Sequence, residues 1–135
     1  MSAANIDVRT LGTPDQINTW MRDVLARVED KWGVLILGIL SSGPLRYAEL
    51  GRQLPDTSQR MLTLSLRRLE RDGLVVRTVF PSTPPQVEYA LSPVGLSLHL
   101  QMAQLIGWAL EHEDYIRTHR RSYDEARPGG GSGGG

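Results

Sequence analysis

The sequence predicts a mainly α-helical protein with one small β-hairpin: a winged helix-turn-helix with N- and C-terminal dimerisation helices. Three observations predict it. Residues 57–71 read as an arginine-rich amphipathic helix that ends at Asp72-Gly73. Two β-rich runs follow at once, at 74–80 and 87–91, split by the proline-rich tip PSTPPQ. A short helical pattern precedes, cut off by Pro55-Asp56. A short helix, a polar helix and a hairpin in that order form the chain pattern of a winged helix. The second helix can enter a DNA major groove while the hairpin touches the backbone beside it.

Each element has its own signal. Asp15 opens a helix after Pro14, with Ile17, Trp20, Met21, Val24, Leu25 and Val28 at three- and four-residue spacing. A second helix is expected over 31–40, where Trp32, Leu35, Ile36, Ile39 and Leu40 make a central core helix and Ser42-Gly43-Pro44 stops it. The short helix over 47–54 should turn Ala48, Leu50 and Leu54 inward. Thr57 or Ser58 can cap the polar helix, because either hydroxyl can accept from its orphan N–H groups. On that helix Leu62, Leu66 and Leu69 share one face, at i, i+4 and i+7. Gln59, Arg60, Thr63, Arg67 and Arg71 gather on the opposite side, and Leu64 falls near them. Gly73 supplies the left-handed residue that commonly ends a helix. Pro81, Pro84 and Pro85 keep the hairpin tip from pairing further.

The last helix should begin near Pro93, a favoured first-turn residue, and run, with a break, to about Tyr123. Its first half is apolar nearly all round, which means burial on more than one side. In so small a domain the second side is another subunit. The expected interface is Trp20, Val24 and Val28 from the first helix, with Leu98, Met102, Leu105, Ile106 and Ala109 from the last.

Composition narrows the function classes. The 135 residues are 40% hydrophobic, which suits one domain: an arm at 1–13, a winged-helix domain at 14–126 and a flexible Gly/Ser tail at 127–135. There is no cysteine, which excludes disulfides, thiolate zinc sites and thiol redox sensing within these residues. No apolar run approaches the length of a membrane span, and the N-terminal residues lack a signal-peptide pattern, so the expected location is the cytoplasm. The formal net charge is zero, yet residues 44–90 hold seven arginines against five acids. Residues 57–71 hold four arginines against Glu70 alone, and a local basic face governs phosphate contact more than the total does.

Other clusters read more plainly. Glu70 and Asp72 flank an arginine run at a helix end, as surface ion-pair partners do, and no catalytic set accompanies them. His112 and His119 lie seven residues apart, about 10 Å of helical rise, too far to share a metal alone. No metal, cofactor or enzymatic activity is expected. Trp20, Trp32 and Trp108 serve as core or interface anchors; an effector pocket beside a subunit interface is the second reading. Gly107, mid-helix, allows the close approach of a partner helix or is simply tolerated.

The segments DKWGVLILGIL (30–40), PLRYAEL (44–50), SQRMLTLSLRRLERDGLVVRTVF (58–80) and PPQVEYALSPVG (84–95), with a late Trp108, resemble the HxlR-type winged-helix regulators, relatives of the MarR group. The resemblance covers about residues 20–108. It implies a homodimer on a palindromic operator, joined through terminal helices and regulating a nearby gene, often as a repressor. Three features depart from the pattern. Asp30 stands where a glycine often precedes Lys-Trp. Leu64 and Ser65 stand where many members are polar or basic, which bears on base preference. The N-terminal redox cysteine of some members is absent.

The expected partners are therefore double-stranded DNA, a second copy of the chain and a small-molecule effector. Ser58, Gln59, Arg60, Thr63, Leu64, Arg67 and Arg71 form the groove face, and Arg46 and Arg77 hold phosphates. Gln59 can pair with adenine, Arg60 or Arg67 with guanine, and Leu64 can touch a thymine methyl. The rival is a winged helix used as a protein–protein module without specific DNA binding, which the arginine-rich face disfavours.

Overall fold

In the computed structural model the described residues are 19–127. The expected arm at 1–13, the helix start at Asp15, Ile17 and the tail beyond Arg127 lie outside them. The order is α1 (Thr19–Glu29), α2 (Lys31–Leu40), β1 (Leu45–Arg46), α3 (Tyr47–Gln53), α4 (Gln59–Arg71), β2 (Val75–Phe80), β3 (Gln86–Leu91), α5 (Pro93–Glu111) and α6 (Glu113–Ala126). The chain divides into two compact units, one through His99 and one from Leu100.

The first unit is built around α2 and α4. Ile36, Leu37 and Leu40 of α2 and Leu62, Leu66 and Leu69 of α4 are almost wholly buried, with Leu50, Leu54, Leu74 and Val75 completing the core. The buried stripe of α4 is the one its leucine spacing predicts. That of α2 is not. Gly33, Ile36, Leu37 and Leu40 face inward, while Leu35, expected in the core, is 43% exposed. Apart from Lys31 at its first position, no polar residue in α2 marks its outer side, so the apolar spacing alone left the helix's rotation open. Ala48 likewise faces out rather than in, because Leu50 and Leu54 define the inner side of α3 and Ala48 sits about 200° from Leu50.

Local hydrogen bonds fix the ends of α4. Ser58 caps it, its Oγ accepting from the Met61 N–H at 3.1 Å. At the other end Gly73 takes a φ of +74°. The Gly73 N–H donates to the Glu70 carbonyl at 3.0 Å and the Leu74 N–H to the Leu69 carbonyl at 2.9 Å. This is a Schellman motif, with Leu69 and Leu74 both buried as its apolar clasp. Arg27 of α1 ion-pairs with Asp72 there, which matches the surface-pair reading of that acid.

The sheet has three strands rather than two, in the order β1-β3-β2. β1 pairs antiparallel with β3 through Leu45↔Tyr89 and Arg46↔Glu88. A two-residue strand is too short to show alternation in a sequence. β2 and β3 form the expected hairpin, with Val75↔Leu91 at its base and Phe80↔Gln86 near its tip.

The hairpin returns to α5 through a tight junction. Ser92 Oγ accepts from the Gly95 N–H at 3.0 Å and donates to the Gly73 carbonyl at 2.6 Å, while the Ser92 N–H donates to the Leu74 carbonyl at 3.1 Å. α5 thus begins against the turn that ends α4. A Cβ on Gly95 would stand 1.9 Å from the Leu74 carbonyl oxygen. In the second unit the predicted break falls at His112, between α5 and α6. Trp108 stacks on His112 and Tyr115 on His119, with ring centroids 4.6 and 4.1 Å apart.

The junction yields a stability prediction. Gly95→Ala should destabilise the protein by about 3 kcal/mol, the upper part of the overpacking range, because the obstacle is backbone rather than a side chain that can move. Urea unfolding measures it; a loss below about 0.5 kcal/mol would mean that α5 shifts freely against Leu74.

Candidate nucleic-acid interface

The polar side of α4 is one wall of a groove. Arg46 and the outer face of α3 form the second wall, and Pro85, Gln86, Val87 and Tyr89 on and before β3 form the third. From α4 it receives Gln59, Arg60, Thr63, Leu64 and Arg67, and from the α3 side Arg46, Tyr47, Ala48, Glu49 and Arg52. Four arginines against Glu49 give the groove a positive potential in a chain of zero formal charge. Glu49 is itself engaged, accepting from the Arg46 backbone N–H at 3.0 Å at the start of α3. Arg46 cannot return the favour of a capping box, since a guanidinium has no acceptor.

A smaller pit opens beside the groove, lined by Thr63, Arg67, Glu70, Arg77 and Tyr89. Arg77 stands opposite Tyr89 across the β2–β3 ladder. Burial pushes the Tyr89 phenol above its usual pKa, and the Arg77 guanidinium only partly offsets this. The phenol therefore stays neutral at physiological pH.

Of the nine residues expected to contact DNA, seven on the groove face and two at phosphates, Arg46, Gln59, Arg60, Thr63, Leu64 and Arg67 converge on the groove and Arg77 on the pit. Ser58 is the helix cap, and Arg71, the last residue of α4, lines neither cavity. Ser65, grouped with Leu64 as a position bearing on base preference, is 1% exposed on the core face and cannot meet a base. Its place follows from its spacing: Ser65 is three residues from Leu62 and four from Leu69.

Sequence reasoning missed Tyr47 and Arg52. Arg52 was legible, since Ala48 and Arg52 are four apart on the side away from Leu50 and Leu54. Tyr47 had no such signal, because its importance lies in a contact with α4. Its hydroxyl hydrogen-bonds the Thr63 Oγ1 at 2.9 Å and the Gln59 carbonyl at 3.2 Å.

The residues expected at a subunit interface divide by exposure. Trp20 is 69% exposed, Val24, Val28 and Leu98 are half-buried, and Leu105, Ile106 and Ala109 are exposed. Met102 is 5% exposed, which sets it apart from the open residues of the expected interface. Among the described residues no cluster of three or more His, Cys, Asp or Glu is placed to hold a metal, and no helix is long and apolar enough to cross a membrane.

Comparison with known proteins agrees with this architecture. The family model for the HxlR-like helix-turn-helix matches residues 27–117. The uncharacterized HTH-type transcriptional regulator YtfH of Escherichia coli is 42% identical over 87 residues, which span 64% of this chain and 69% of YtfH. The structure of the transcriptional regulator ytfH from Salmonella typhimurium superposes with a TM-score of 0.64 at 33% identity, covering 87% of this chain and 99% of that one. The reduced form of the transcriptional regulator YodB from B. subtilis gives a TM-score of 0.62 at 33% identity, over 68% of this chain and 90% of YodB. A polar helix framed by a hairpin, on a chain matched over most of its described length, makes this protein a member of the HxlR-like helix-turn-helix family of transcriptional regulators.

Proposed function

We propose that this chain is a homodimeric repressor that binds an inverted-repeat operator in the cytoplasm, with α4 in the major groove and the hairpin against the adjoining backbone. The observation that carries this reading is the groove itself. Gln59, Arg60, Thr63, Leu64 and Arg67 share one edge of α4, flanked by the cations Arg46 and Arg77. Long polar side chains on an exposed helix edge suit base contacts, and flanking arginines suit phosphates.

The dimer rests on the apolar surface of α5. Leu100, Leu105, Ile106, Trp108 and Leu110 are each about half exposed or more. Covering such a surface contributes roughly 25 cal/mol per Å² of apolar area before the costs of association. A twofold dimer sets its recognition helices about 34 Å apart, one turn of DNA, and so calls for an inverted repeat. HypR, a structural relative, is a redox regulator. With no cysteine in these 135 residues, the signal here is carried by a small-molecule effector or by the level of expression rather than by a thiol of this segment.

Three measurements test this reading. On an operator found by selection, Gln59→Ala and Arg67→Ala should each weaken binding by about 1–3 kcal/mol, measured by fluorescence anisotropy. Unchanged affinity for both variants would remove α4 as the reader. Arg46→Ala and Arg77→Ala should weaken binding to all duplexes alike and lower the slope of log K against log salt by about one each. A sequence-selective loss at constant slope would show that they touch bases instead. Sedimentation at micromolar concentration should give a dimer, and Ile106→Asp should produce a folded monomer that no longer binds the full operator. A native monomer with tight half-site binding would refute the dimer.

A further inference from the structure

We infer that Tyr47 makes Thr63 an acceptor-only reader, so that α4 selects a base presenting an amino group, adenine or cytosine, where Thr63 meets the DNA. The inference rests on the DNA-binding reading above and adds to it a specificity device built from two hydroxyls.

The Tyr47 hydroxyl makes two hydrogen bonds, one with the Gln59 carbonyl oxygen at 3.2 Å and one with the Thr63 Oγ1 at 2.9 Å. A phenol has one proton, and a carbonyl oxygen can only accept. The Tyr47 proton therefore goes to Gln59. In the second bond Thr63 must be the donor, which commits its own single proton to Tyr47. What the Thr63 oxygen has left is lone pairs.

That oxygen belongs to a half-buried side chain on the wall of the groove, between Gln59 and Arg67 on the same edge of α4. In the major groove, adenine N6 and cytosine N4 carry N–H donors that such an oxygen can accept. Guanine O6 and N7, thymine O4 and the phosphate oxygens offer only lone pairs and are repelled. A free threonine hydroxyl makes no such choice, because its proton rotates to suit either kind of partner. Tyr47 is thus a positioning residue: it touches no base and acts by fixing the sense of the Thr63 hydrogen bond. Its own place is set by the start of α3, where Glu49 holds the Arg46 N–H.

The test is selection from a randomised duplex library with the full chain, comparing the wild type, Tyr47→Phe and Thr63→Val. The wild type should enrich a motif in which one position per half-site favours adenine or cytosine over guanine or thymine by about tenfold, at the low end of what a base contact supplies. Thr63→Val should erase the preference at that position alone. Tyr47→Phe should leave the rest of the motif intact while bringing the four bases at that position to within about twofold. Circular dichroism establishes that each variant is folded. Superimposable profiles for Tyr47→Phe and the wild type overturn the inference. So does a Thr63→Val-sensitive position that favours guanine or thymine in the wild type, which needs no tyrosine variant. A wild type that enriches no motif from the library overturns the DNA-binding reading itself, a result distinct from either of these.

Discussion

The structure depends on the division of α4 into two faces. Leu62, Leu66 and Leu69 are buried to within 2% and bind the helix to the core, while Gln59, Arg60 and Arg67 on the other side stay exposed. Because the same thirteen residues serve both ends, the core fixes the rotation of the polar face. A reader on a loop would lose that rigidity, and ordering it would oppose binding. Ser65 is the exception to the division. It is a polar residue on the inner face, and its hydroxyl is buried without a hydrogen-bond partner.

Both ends of α4 are held as well. Ser58 closes the first turn, and the Schellman turn at Gly73 redirects the chain into β2. Ser92 then bonds back to Gly73, so the polar helix, the hairpin and the start of α5 meet at one junction. The hairpin therefore sits at a set angle to α4, and Arg77 reaches the same pit as Arg67. Tyr47 braces α3 against the exposed side of α4, the side that the core does not hold.

Charge follows the same plan. Acids balance the arginines and Lys31 over the whole chain, yet four arginines share one groove with a single acid. Long-range attraction to a polyanion is modest for a neutral protein, whereas phosphate contact within the groove keeps its full local field.

Most of the fold was legible because its signals are local. The leucine spacing of α4, a hydroxyl cap at 57 or 58 and the left-handed glycine at position 73 each depend on neighbours within a few residues. The α4 side of the groove followed from the same periodicity, so its five residues Gln59, Arg60, Thr63, Leu64 and Arg67 could be named in advance. What failed depends on distant partners. The rotation of α2 is set by packing against α4, and β1 exists only because β3 lies beside it. The burial of Met102 could not be seen in an apolar run whose every side reads alike. The Tyr47–Thr63 bond, which no local pattern announces, joins residues sixteen apart on two helices. The sequence by itself determined which helix carries the polar face and where it begins and ends, since helix periodicity and capping are properties of contiguous residues. Only the tertiary structure decided which side chains share a groove and which hydroxyls meet, because both are settled between elements that the chain brings together by folding.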